Sequence, residues 1–425
     1  MSKVAKLKEL SFLVYGFGLS GRSVVKFFKK TKIKNYKIWD DNKKNIFKKN
    51  LAKNLNTILR QVDYIVLTPG ISLKKNKNLQ KFKDKIITDI DLFYLINNKC
   101  KSIVVTGTNG KSTTCKLIEH LLKKSKINCA LGGNIGKPIL DLIKFKDGII
   151  IIEASSFQLS HSKFIHPNYA FFLNLTNDHL DWHGSMKNYL KSKLKIFQLQ
   201  KKNDYAIIND NFKIIFKKRK FLGKIIVPNV NHYKKIKSKI KNIYLSSGIN
   251  DQNMSFVFAF SQVLKIKKKL FINAMETFKG LPHRFEIFFK KKDITFINDS
   301  KATSFKSTEL ALSSLKDIYW IAGGLPKKND KINISRYKKK IIKCYLIGKH
   351  ISFFKNQIEG KVDFSETRNL ESAIIQISKD VKLQNNLKKT ILFSPAAASF
   401  DQYTNFEKRG LKFKSLCKIY ARKFI

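Results

Sequence analysis

Short apolar runs that end in glycine or polar clusters recur along the chain. Ser11–Tyr15 reads as a first strand, followed by a glycine turn and a helical stretch from Gly21 to about Lys30. A second strand, Tyr36–Trp39, ends in Asp40 and Asp41, and the run Tyr64–Leu67 leads into Thr68-Pro69-Gly70. A second block opens with the strand Ser102–Thr106, a glycine loop, and a helix from Lys111 to about Lys124. Within it Gly148–Ile152 ends at Glu153, and Tyr169–Leu175 ends at Asn177-Asp178-His179. A third block starts near Leu281 and contains the strands Ile318–Ala322, Lys343–Ile347 and Thr390–Phe393. Strands alternating with helices predict an α/β fold with parallel sheets. Three domains are expected, over residues 1–90, 91–281 and 282–425. The polar clusters sit at strand carboxyl ends, where ligands gather in such sheets. The stretch from about Phe212 to Lys241 is lysine-rich and poorly patterned, and no function is read from it.

With 43% hydrophobic and 12% aromatic residues among 425, the chain can build real cores. No apolar run approaches the ~18–20 residues of a membrane helix. The run Phe12–Tyr15 is cut short by Gly16, Gly18 and Arg22, so it reads as a strand and not a signal peptide, and a cytoplasmic location is expected. Five scattered cysteines, none in a close pair, predict neither a disulfide framework nor a zinc site. The formal net charge of +55 raises the question of nucleic acid. The excess is nearly all lysine, 77 against 8 arginines, and is spread over the whole chain. Solvated surfaces therefore account for it better than a specific nucleic-acid partner does.

The strongest local signal is Thr106-Gly107-Thr108-Asn109-Gly110-Lys111-Ser112-Thr113, placed between a strand and a helix. Backbone N–H groups and a helix N-terminus can cradle phosphate there. Lys111 would reach the β- and γ-phosphates, and Ser112 or Thr113 would offer a hydroxyl to Mg²⁺. Gly16-Phe17-Gly18-Leu19-Ser20-Gly21, with Asp40 at the end of the next strand, reads by itself as a dinucleotide site. A nicotinamide-dependent oxidoreductase is thus an alternative. Such an enzyme has no use for a second phosphate loop, whereas a ligase acting on a nucleotide-linked substrate does.

Thr106–Lys111 resembles the ATP loop of the Mur ligases, whose wider superfamily includes the folylpolyglutamate synthetases. Further matches follow in order: Gly133–Gly136, Glu153–Gln158, Asn174–His179, Leu281–Glu286, Asn298–Thr303, Ser394–Gln402 and Asn405–Gly410. Several look like the branch that adds D-glutamate. The resemblance implies a Rossmann-like N-terminal domain, a central P-loop-type ATPase domain and a C-terminal Rossmann-like domain. It implies ATP- and Mg²⁺-dependent addition of D-glutamate to UDP-N-acetylmuramoyl-L-alanine through an acyl phosphate, by a monomer with no membrane span. Another amino-acid ligase of the superfamily is the nearest alternative.

By the same resemblance, Gly107, Thr108, Asn109, Gly110, Lys111, Ser112, Thr113, Asn253, Arg284, Asp299 and Lys301 handle ATP. Ser112, Glu153, His179 and Lys193 hold Mg²⁺, with Lys193 as the lysine that this family carbamylates. Lys111, Glu153, His179, Lys193 and Arg284 carry the catalysis, Arg284 as the contact to the transferring phosphate. Gly18, Leu19, Ser20, Asp40, Thr68, Pro69 and Gly70 take the uridine diphosphate end, and Asn134 and His179 the muramoyl-alanine end. Thr303, Lys327, Ser399 and Phe406 belong to the amino-acid end. Without the family, Lys193 reads as one more solvated surface lysine. Two departures stand out: Gln252 and Phe256 where the family carries histidine and asparagine, and Leu325-Pro326 before Lys327-Lys328.

Overall fold

The computed structural model describes residues 3–42, 50–52, 54–71, 73, 76–96, 100–246, 248–383 and 388–424. It is an α/β structure with three sheets, distributed over two compact units. One unit comprises residues 1–241 and 250–278, the other 242–249 and 279–425.

The first unit holds two sheets. The smaller consists of β1 (Phe12–Tyr15), β2 (Tyr36–Trp39), β3 (Tyr64–Leu67) and β4 (Ile86–Ile87), ordered β2-β1-β3-β4 and wholly parallel. The larger consists of β5 (Lys101–Thr106), β6 (Cys129–Gly133), β7 (Ile149–Glu153), β8 (Tyr169–Phe172), β9 (Tyr205–Ile208) and β10 (Lys224–Ile226). Its order is β10-β9-β8-β5-β7-β6, also parallel. The unbroken isoleucine run of β7 follows from burial on both faces of a parallel sheet. Asp91, buried, joins the two sheets by accepting the backbone N–H groups of Lys163 and Phe164 at 2.9 and 2.8 Å.

The second unit has one sheet: β11 (Glu286–Lys291), β12 (Ile294–Asn298), β13 (Ile318–Gly323), β14 (Ile341–Ile347), β15 (Phe364–Arg368) and β16 (Lys389–Phe393). The order is β11-β12-β16-β13-β14-β15, parallel except for the β11–β12 hairpin at one edge. Its two faces are covered separately, one by the cluster around Trp320 and Phe354, the other by that around Tyr345 and Phe413.

The expected helix from Lys111 is found as Lys111–Lys124, and the helix after the first glycine turn spans Leu19–Thr31. The strand expected over Tyr169–Leu175 ends at Phe172, because Leu173 and Asn174 turn to bond the loop after β5. Strands β6, β9, β11, β12 and β15 escape the periodicity reading. The poorly patterned stretch 212–241 holds β10 and the helix Val230–Lys237. All five cysteines are free thiols. Among the described residues no helix is long and apolar enough to cross a membrane.

Candidate active site

Parallel pairing brings three strand ends of the larger sheet into line. Glu153, the last residue of β7, pairs with Val105 on one side and Gly133 on the other. The loop after β5, the carboxylate of Glu153 and the amide of Asn134 therefore share one edge.

The loop Gly107–Gly110 closes tightly onto the helix Lys111–Lys124. Gly110 caps that helix with φ 81°, and a Cβ there would lie 2.2 Å from Asn253 Oδ1. Only glycine fits both demands. Asn253, on the helix Asp251–Val263, also faces Thr114, whose hydroxyl donates to the same oxygen at 3.4 Å. Asn174 clamps the loop from β8. Its Oδ1 accepts the N–H groups of Thr108 and Asn109 at 3.1 and 2.9 Å, and its Nδ2 donates to Asn109 O at 3.2 Å. This leaves the helix N-terminus, beginning with buried Ser112 and Thr113, as the anion-facing end of the loop.

Two lysines meet under this loop. Lys111 Nζ donates to Gly107 O and Thr108 O at 2.9 and 2.8 Å. Lys193 Nζ donates to the same Gly107 O at 2.8 Å and lies 4.6 Å from the centre of the Tyr189 ring. Lys193 is 1% exposed, which corrects the unaided reading of a surface lysine. Burial first, then the neighbouring Lys111 charge, lowers its pKa to about 6. Tyr189 in turn shares a 3.1 Å hydroxyl contact with Thr108, so the helix Met186–Leu194 is bound to the loop that it serves.

Glu153 is 2% exposed. Asn134 Nδ2 donates to its Oε1 at 3.0 Å, while Oε2 has no partner among the described residues. A buried carboxylate oxygen left without a donor is costly unless a cation takes it. His179 stands at the start of a short helix with φ 53°, packed 4.9 Å from Phe157. Burial lowers its pKa, which keeps the imidazole neutral and able to donate a lone pair. Among the described residues no three His, Cys, Asp or Glu side chains gather as a ready metal cluster. A carboxylate, a neutral imidazole, a hydroxyl and a lysine are therefore what this edge offers.

In the smaller sheet, Asp40 turns inward. Its Oδ2 accepts Phe17 N–H at 2.5 Å and its Oδ1 accepts Asn42 N–H at 2.8 Å. The carboxylate thus braces the glycine loop and β2. Gly18 precedes the helix Leu19–Thr31, Leu19 is 83% exposed, and Ser20 is half-buried. Thr68 N–H donates to Tyr15 O at 3.1 Å, which sets Thr68-Pro69-Gly70 beside the same loop.

In the second unit, Arg284 stands between His283 and Phe285, both with positive φ. Asp299, at the end of β12, accepts Phe285 N–H at 3.0 Å and the Ser394 hydroxyl at 2.8 Å. Burial pushes its carboxyl up to about 7. Lys301 Nζ lies 4.6 Å from the centre of the Phe406 ring, and Thr303 follows two residues on. Ser399 is buried, and Lys327 and Lys328 are both exposed. Arg409 escapes the sequence reading. It is 1% exposed, donates to Ser300 O and Ala397 O at 2.8 Å each, and so ties together the turns after β12 and β16. Asn174 and Tyr189 were likewise missed; Tyr189 lies one helical turn before Lys193, a spacing that could have exposed it.

This architecture, with a phosphate loop and a buried acid at adjoining strand ends, is that of the Mur ligases. The model of the Mur ligase middle domain matches residues 105–273. The chain is 33% identical to a UDP-N-acetylmuramoylalanine–D-glutamate ligase of Wolbachia sp. subsp. Brugia malayi, covering 99% of this chain and 98% of that one. It is 35% identical to the enzyme of the same name in Rickettsia prowazekii, covering 97% and 98%. Among solved structures, the MurF ligase of Thermotoga maritima in complex with ADP has the same fold, with a TM-score of 0.55 and 15% identity over 97% of this chain and 99% of that one. The chain belongs to the Mur ligases, in the group of the UDP-N-acetylmuramoylalanine–D-glutamate ligases.

Proposed function

We propose that this protein joins D-glutamate to UDP-N-acetylmuramoyl-L-alanine in peptidoglycan precursor synthesis, using ATP and Mg²⁺. The single observation that carries the chemistry is the buried Glu153 Oε2, which has no partner among the described residues, beside a phosphate-type loop. Near-full-length similarity to D-glutamate ligases supports the choice of substrates. The protein works in the cytoplasm as a monomer, with domains over 1–90, 91–281 and 282–425, one per sheet.

In this reading the substrate carboxylate attacks the γ-phosphate of ATP, and ADP leaves. The amine of D-glutamate then attacks the acyl carbon, and inorganic phosphate leaves as the amide forms. The work is positioning and neutralising charge. Lys111 swings from Gly107 O and Thr108 O to the β- and γ-phosphates. Glu153, His179 and Ser112 fit a hard divalent cation, which supplies charge neutralisation at the phosphates. Lys193 fits only after modification. Its neutral amine adds to CO₂, forming an N–C bond and releasing a proton, and the product is an anionic carbamate. Asn134 and His179 receive the muramoyl-alanine end. Gly18–Ser20, Asp40 and Thr68–Gly70 receive the uridine diphosphate end. Arg284 contacts the transferring phosphate and Asp299 the ribose. Lys301 and Thr303 line the junction of ATP and the amino acid, which Lys327, Ser399 and Phe406 receive.

Substrate labelled with ¹⁸O in its carboxylate tests the mechanism. One labelled oxygen should appear in the released phosphate. Unlabelled phosphate would exclude the acyl phosphate.

A further inference from the structure

Arg284 is held in an unusual way. The residues on either side, His283 and Phe285, have left-handed backbone, with φ 61° and 46°. Histidine enters this region more often than most residues, but a bulky phenylalanine rarely does, and two such residues flanking one arginine must be held from outside. Two carboxylates impose it. Asp299 Oδ1 accepts Phe285 N–H at 3.0 Å, and Glu286 Oε2 accepts His283 N–H at 2.9 Å.

Glu286 is itself fixed. Asn298 Nδ2 donates to its Oε2 at 3.2 Å and also lies 2.9 Å from His283 Nδ1. Lys414 donates to the other oxygen, Oε1. Gly410, on the helix Phe406–Ile419, makes the room. A Cβ there would lie 2.2 Å from His283 Nδ1 and 3.1 Å from Asn298 Nδ2. Burial lowers the His283 pKa, so its ring is neutral and Nδ1 can accept from Asn298. An ordinary hairpin staple would need only the Glu286–Lys414 ion pair. Here the same carboxylate also reaches back to the strained peptide beside Arg284.

We propose that Glu286 is a positioning residue for Arg284, with Asn298 and Gly410 completing its support. This rests on the reading that Arg284 contacts the transferring phosphate. A contact made in the transition state is sensitive to displacements near 1 Å, and its loss appears in kcat. Glu286 touches no substrate in this account; it acts only by fixing the peptide from which Arg284 projects.

The test is a double-mutant cycle in the full-length enzyme. Glu286→Ala should lower kcat about 10- to 100-fold with Arg284 present, with KM values changed less than about 3-fold. In an Arg284→Ala background the same change should cost less than about 2-fold, because the group it positions is gone. Glu286→Gln, which still accepts the His283 N–H, should keep kcat within about 5-fold of the parent. Equal losses in both backgrounds would overturn the proposal and leave Glu286 a stabilising residue only. If Arg284→Ala is impaired while Glu286→Ala is not, the positioning role falls and the Arg284 reading stands. If Arg284→Ala keeps full kcat, both fall. Should Glu286→Ala not fold, Gly410→Ala, which displaces His283 from the helix side, carries the same cycle with the same criteria.

Discussion

Lys111 and Lys193 direct their amines to one backbone oxygen, that of Gly107, at 2.9 and 2.8 Å. Lys193 is 1% exposed, and burial first, then the nearby Lys111 charge, makes it give up its proton. The free amine is the form that reacts with CO₂. In the proposed function, carbamylation of this neutral amine sets an anion beside Lys111.

The pH dependence follows in sign. A pKa lowered to about 6 leaves the amine neutral above that pH and protonates it below. In ¹³CO₂-equilibrated protein, a carbamate carbon signal should be present at pH 7.5 and fade as pH falls through about 6. It should be absent from Lys193→Ala. A signal that survives in that variant would place the carbamate elsewhere.

Glu153→Gln removes the charge and nearly keeps the shape. In the absence of Mg²⁺ the variant should melt higher than the parent, because a buried carboxylate oxygen without a donor costs roughly 1–3 kcal/mol. With Mg²⁺ and nucleotide the order should reverse, since binding stabilises only the protein that binds. Thermal melts with and without Mg²⁺ and ADP check both statements. Parallel responses of the two proteins would remove Glu153 from the metal site.

Asn174 makes three hydrogen bonds to the phosphate loop. Asn174→Ala should raise the KM for ATP about 10-fold and lower stability by about 1–3 kcal/mol. Asn174→Asp should be worse for ATP, because it sets a carboxylate beside phosphates. Steady-state kinetics at saturating amino acid separate these effects; an unchanged KM in both variants would contradict the clamp.

Asp299 carries a raised pKa of about 7. The folded protein holds this proton more tightly than the unfolded chain, so the group's contribution to stability is greatest at low pH and falls as pH rises through 7. Asp299→Asn removes the titration. The melting temperature of the variant relative to the parent should therefore rise between pH 5 and pH 8. A constant difference would show that Asp299 ionises normally.

Much of this site was legible in the sequence because it lies at strand ends marked by glycine and polar clusters. The β5 loop, Glu153 and His179 stand out from apolar runs. Lys193 did not, since a lysine buried by tertiary packing carries the same letter as the many exposed ones. Asn174 and Arg409 lie in matching segments but were given no role, because their partners are mostly backbone atoms of distant turns, which leave no pattern in side-chain type. The half-buried strands β6 and β15, at sheet edges, escaped because edges lack the continuous apolar run of β7. The residues proposed for the D-glutamate end come only through family likeness, since Ser399 and Phe406 have ordinary packing roles to any local reading.

Phosphate release from ATP, measured with Mg²⁺, bicarbonate and UDP-N-acetylmuramoyl-L-alanine, decides whether this protein is a D-glutamate ligase. The comparison is D-glutamate, L-glutamate and no amino acid. The account predicts release with D-glutamate alone and a product heavier by one glutamyl residue. Release with another amino acid, or none in any mixture, would contradict it.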